Sequence, residues 1–150
     1  MAVKIVWKPV LQVLALKDYH PDYGDEKIMV CVNPQPEFWR EYTRLLSENA
    51  RQYADADLHQ KAASAALNDD ERRALEISAG AKATEYMVWI ERTFIPSLDS
   101  WFAKLWSFGE DKYTLEDVTE FQNVDEHFLT WAKARSIEMI NGHASAKKKV

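Results

Sequence analysis

Residues 69–95 read DDERRALEISAGAKATEYMVWIERTFI, and their spacing decides the fold class. Leu75, Ala79, Ala83, Tyr86, Ile90 and Phe94 recur at steps of three and four residues, so one side of a helix carries them all. Asn68, with Glu71 three residues on, supplies a capping-box-like start. Pro96 has no backbone N–H and crowds the preceding turn, so the helix is expected to end or kink there.

Working outward, the same period continues on both sides. In NPQPEFWREYTRLLSENARQYA (33–54), Asn33 reads as an N-cap and Pro34 as the first helical position. Phe38, Tyr42, Leu45, Leu46 and Tyr53 follow at helical spacing. The Ala-rich 54–68 has few large apolar groups and reads as a continuation or as a separate weak helix. After Pro96, SLDSWFAKLWSF (97–108) forms a short helix closed near Gly109. Thr114 with Asp117 opens another, LEDVTEFQ. The last helix, about 125–141, carries Phe128, Leu129, Ala132, Ile137 and Ile140, with Asn141-Gly142 as its C-cap.

The first third differs. Residues 3–16, VKIVWKPVLQVLAL, and 27–32, KIMVCV, are rich in strand-forming residues and flank the turn-rich DYHPDYGDE. This predicts a β-hairpin, with Pro9 at an edge or splitting the first strand. A lone hairpin is marginal in water, so it must pack on the helices or on another chain. The expected fold is mainly α: a helical bundle with a short N-terminal β-hairpin as a minor α+β component. One domain is expected over 1–143, divided into a hairpin segment, 1–33, and a helical body, 34–143. Residues 144–150, ASAKKKV, read as a disordered Lys-rich tail.

Composition narrows the function. The chain has 150 residues, 47% hydrophobic and 29% charged, with net charge -5. With a pI near 5.4, nucleic-acid binding is disfavoured, although a charge sum does not exclude a local basic patch. The single cysteine, Cys31, permits neither an internal disulfide nor a cysteine-rich zinc site. The N-terminal apolar stretch is interrupted by Lys8 and Pro9 and lacks a signal-peptide cleavage pattern. No run of about 18 apolar residues suggests a membrane span, so a cytosolic protein without membrane association is expected.

Catalytic motifs are missing. Asp18, His20, Asp22, Asp25 and Glu26 share one loop, but their spacing does not match a calcium loop, and a solvated hairpin loop is the favoured reading. His20, His59, His127 and His143 show no ligand spacing, so no metal site is expected; His59 and His143 read as surface residues, and His127 as an exposed or capping residue. Cys31 lies in an apolar strand and reads as core. Glu116 and Glu120 lie one turn apart on a wet face, where acid–base work is a poor second to simple solvation. No nucleophile elbow and no Gly-rich phosphate loop occurs, and neither an enzyme nor a cofactor is expected. The better clue is six tryptophans in a short chain. Most belong in the core, but a helical unit this small is expected to leave some to form a groove for an apolar helix. The surplus aromatics and the marginal hairpin also point toward self-association.

A β-leaning N-terminus reaching VNPQPEFWREY, an acidic Trp-rich body with WFAKLWSF and VDEHFLTWAKARSIEMI, and the terminal AKKKV together give a layout that resembles the tail assembly chaperones of long-tailed siphophages and prophages. The resemblance implies a non-catalytic protein of the host cytoplasm, absent from the mature virion. It would bind and solubilise the tape-measure protein during tail morphogenesis and help tail-tube subunits polymerise. It also implies a programmed frameshift near the lysine run and a longer form sharing this chain; a solubilising tail fits the same residues. Trp101, Phe102, Trp106 and Trp131 are the expected client-binding residues. The alternative is a small acidic helical adaptor or minor virion protein acting by protein–protein interaction. An acidic DNA mimic fits less well, because Lys and Arg are interspersed through the helices.

Overall fold

The computed structural model describes residues 5–110 and 113–148. Its elements are strands β1 (Leu11–Ala15) and β2 (Lys27–Cys31), then helices α1 (Pro36–Ser64), α2 (Asp69–Trp89), α3 (Ile95–Leu105), α4 (Leu115–Val124) and α5 (Glu126–Lys148). The fold is mainly α with a short N-terminal β-hairpin. The chain divides into two compact units, Met1–Trp39 with Asp99–Val150, and Arg40–Leu98.

In the first unit, β1 and β2 pair antiparallel, with Leu14 opposite Ile28 and Val13 opposite Met29. Alternation puts Leu14, Ile28 and Val30 on the buried face, and Leu16 and Val32 extend it at either end. Val32 N–H donates to the Val10 carbonyl, continuing the ladder, whereas Pro9 lies outside the strand. The connecting loop is two short 3-10 turns, Leu16–Asp18 and Pro21–Tyr23. Gly24 closes the second at φ 57°, a backbone region that favours glycine.

Helix α5 packs against β1, and Phe102, Leu105 and Trp106 of the α3 end, Val118 of α4, and Phe128, Leu129 and Ala132 of α5 are all nearly free of solvent. The Trp106 indole N–H donates to Ser136 Oγ at 3.0 Å, and that hydroxyl donates to the Ala132 carbonyl at 2.8 Å. Both polar groups are thereby satisfied inside the core. Asp99 and Lys133 form an ion pair almost shielded from water, and the Lys133 ammonium also lies 5.8 Å from the Phe102 ring centre. The Phe38 ring stacks on Trp101 with centroids 4.5 Å apart, and the Trp101 indole donates to the Phe38 carbonyl at 2.7 Å.

Several local readings are corrected. Asn33 does not cap α1, which begins at Pro36. Its amide instead ties down the first strand's approach, accepting from Val10 N–H at 2.6 Å and donating to the Lys8 carbonyl at 2.8 Å. Pro96 does not end the helical run. A π-helical turn, Ile90–Phe94, precedes α3, and a wider turn of this kind relieves the crowding that a proline imposes on a regular α-helix. Nor does Asn141-Gly142 stop α5, which runs to Lys148 through helix-favouring Ala and Lys residues. Residues 144–148 are therefore helical where a disordered tail was expected; Lys149 and Val150 lie outside the described residues.

In the second unit, residues 54–64 continue α1. Asn68 caps α2, its Oδ1 accepting from Glu71 N–H at 2.7 Å. The less exposed positions of α1 recur at alternating steps of four and three: Phe38, Tyr42, Leu45, Asn49, Gln52, Ala56, His59 and Ala63. On α2 the corresponding positions are Leu75, Ala79, Lys82, Tyr86 and Trp89, with Ala83 turned to solvent. This is the 3.5-residue repeat of paired helices. The Tyr86 hydroxyl donates to Asn49 Oδ1 at 2.7 Å, Tyr53 meets Tyr86 edge-on, and Lys82 lies 3.7 Å from Asp55.

Candidate functional site

Burial decides which expected contact residues can meet a partner. Trp101, Phe102 and Trp106 are 3%, 2% and 0% exposed, so three of the four expected client-binding residues are core. The reason lies in α3, where Trp101, Phe102, Ala103 and Leu105 are all buried and Trp106 follows directly. Buried side chains at consecutive positions cover most of the circumference of this helix, with Lys104 the exposed exception near its end, so it is largely enclosed rather than displayed. Trp131 is partly exposed and packs against Tyr19 and Phe128.

Trp131 borders a polar cluster that ties the hairpin loop to α5. Asp125 precedes the helix, and its Oδ1 accepts the Phe128 N–H at 3.0 Å. The Tyr23 and Tyr19 hydroxyls donate to the same carboxylate at 3.1 and 3.3 Å. The Phe128 N–H, above all, holds the Asp125 carboxyl below its usual range, helped by the two tyrosines. Burial, followed by the negative charge and hydrogen bonding of Asp125, raises both tyrosines above theirs. Neutral phenols donating to a helix-capping carboxylate make a structural clamp. The arrangement has no activated nucleophile.

The remaining candidates are placed as follows. His20 Nδ1 accepts from Asp22 N–H at 3.1 Å and caps the second loop turn. Among the described residues, no group of three or more His, Cys, Asp or Glu could hold a metal ion. Cys31 is fully buried, and burial raises its thiol pKa. Glu116 and Glu120 are exposed on α4. His127 is exposed, but His143 is partly buried, contrary to its expected surface position.

Sequence reasoning missed the exposed apolar side chains of the second unit. Its inner stripe contains Asn49, Gln52, Ala56, His59, Ala63, Ala79 and Lys82 beside Tyr42, Leu45, Leu75, Tyr86 and Trp89, while several other large apolar side chains are exposed. Tyr53 is 59% exposed, Leu58 64%, Ile77 76% and Met87 58%, and Leu46 and Val88 are exposed too. Leu46 and Tyr53 are seven residues apart, and Ile77 and Val88 eleven, so at about 100° per residue each pair shares one side of its helix. The ordinary amphipathic arrangement is thus partly inverted here. A signal existed in the sequence: the Ala- and polar-rich 3.5-residue stripe is as regular as the apolar one.

No family model matches this chain, no curated protein matches it, and no solved structure matches it. Among the described residues, no helix is long and apolar enough to cross a membrane.

Proposed function

We propose that this chain is a non-catalytic tail assembly chaperone whose 40–98 unit holds apolar helices of the tape-measure protein in the host cytoplasm. One observation carries the binding part: the paired helices α1 and α2 turn many small and polar residues inward, beside Leu45, Leu75 and Tyr86, and leave Tyr53, Leu58, Ile77 and Met87 exposed. Exposed apolar side chains on regular helices suit an amphipathic client helix, and truncating a well-covered anchor costs about 2 kcal/mol or more. The tail-specific part is supported by the layout of sequence segments described above. Copies of the chain, tail-tube subunits and a frameshifted longer form are the further partners in this reading.

The test is co-expression with the tape-measure gene of the same tail locus, followed by affinity capture. The client stays soluble and co-purifies with the native chain. The Ile77→Ser/Val88→Ser variant keeps its helical circular dichroism and loses about tenfold or more in capture. Equal capture by the variant rejects the surface, and no capture by the native chain rejects the chaperone reading. Presence of the chain in purified particles instead favours a minor virion protein.

A further inference from the structure

The first unit contains a cavity of about 280 Å3 where the end of β2, the first turn of α1 and the last turns of α5 meet. Its walls include Val32, Trp39, Ile140, His143, Ala144 and Lys147. The four α5 residues lie at i, i+3, i+4 and i+7, so one helix side presents them together. Val32 and Ile140 are buried, so the walls are apolar and firmly seated.

We propose that this cavity binds a small carboxylic acid whose apolar body is about the size of an indole ring. Two features select the head group. Lys147 is exposed at the rim and makes no ion pair with any described residue. The Nε2 of His143 is shut off from water and has no hydrogen-bond partner among the described residues. Asn33 also lines the cavity, but its amide is engaged by Val10 and Lys8, and Pro34 has no N–H to give. The remaining polar groups are the neutral Asn141 amide, the His143 imidazole and the Lys147 ammonium, and the one full charge among them calls for an anionic acceptor.

The body follows from the walls. Val32, Trp39, Ile140 and Ala144 offer aliphatic and aromatic surface, and the volume suits a planar bicyclic group rather than a long acyl chain. The imidazole turns about its broad χ2 torsion, so a nitrogen now shut off can meet the acid when it enters. A phosphate fits poorly, because no arginine lines the cavity and the walls are apolar. An amine would meet the Lys147 charge.

Indole-3-acetate is the probe, titrated calorimetrically into the full chain, with indole and tryptamine as controls. Saturable binding is expected, about tenfold or more tighter than indole, with no binding of tryptamine. Lys147→Glu and His143→Phe each weaken the acid about tenfold, and Ala144→Trp abolishes binding by filling the space. Amide NMR shifts confined to residues 32–39 and 140–147 report the site independently of whether the Trp variant folds. No saturation below about 10 mM, equal affinity for indole, or shifts elsewhere in the chain overturns the proposal.

Discussion

Gly109 has the least room of any glycine in the chain. A Cβ there would lie 2.8 Å from both Cβ and Cγ of Met29, atoms near the backbone that cannot swing aside as a side-chain tip can. Gly109→Ala is expected to destabilise the protein by about 1–3 kcal/mol in urea titration, as overpacking does. Gly80→Ala serves as the contrast, with no atom within 4 Å of the new Cβ and a mid-helix position. It should stabilise by about 0.5–1 kcal/mol. Asp125 makes a second prediction, in pH. Its carboxyl is depressed in the folded state, chiefly by the Phe128 N–H, so its stabilising contribution is present above the unfolded value, near 3.9. That contribution disappears as pH falls through the depressed folded value. Thermal melts from pH 6 to 2 should therefore show a steeper acid decline for the native chain than for Asp125→Asn. These residue-level features were illegible in sequence for a common reason. Asn33 looked like a cap because Asn-Pro begins helices locally, but its true partners are Lys8 and Val10, more than twenty residues back.

At the scale of elements, local chemistry spoke more clearly. Thr114 and Asp117 form a reciprocal capping box, each side chain taking the other's backbone N–H. Thr114→Ala should cost about 1 kcal/mol and speed amide hydrogen exchange across Leu115–Val124. No comparable change is expected in α2, which has its own cap in Asn68. The hairpin was legible because its strands are runs of β-branched and aliphatic residues around a turn-rich loop. The stretch around Pro96 was not, because proline rules describe an α-helix and the chain adopts a wider turn before it. Tryptophans likewise mark an apolar stretch without telling inside from outside. In α3, apolar residues on consecutive positions were the available sign of enclosure.

For the molecule as a whole, the paired helices of the 40–98 unit rest on a narrow apolar base. Of the unit's α1 and α2 residues, only Leu45, Ala63 and Ala79 are buried. A polar seam fixes register at a cost in stability. Hydrogen exchange should therefore be faster in 50–85 than around Trp106 and Phe128, and a bound client helix should slow it. The Phe38–Trp101 stack gives this arrangement a further meaning. The two residues lie just outside the boundaries of the 40–98 unit, and their rings are 4.5 Å apart. The 40–98 unit is in effect a cassette spliced into a larger recipient at a point where the two cut ends already touch. Joining Trp39 to Asp99 through a few Gly and Ser residues should leave the recipient's Trp106 in its folded environment by near-UV circular dichroism. A recipient that unfolds on excision would mean that the cassette helps to hold it together.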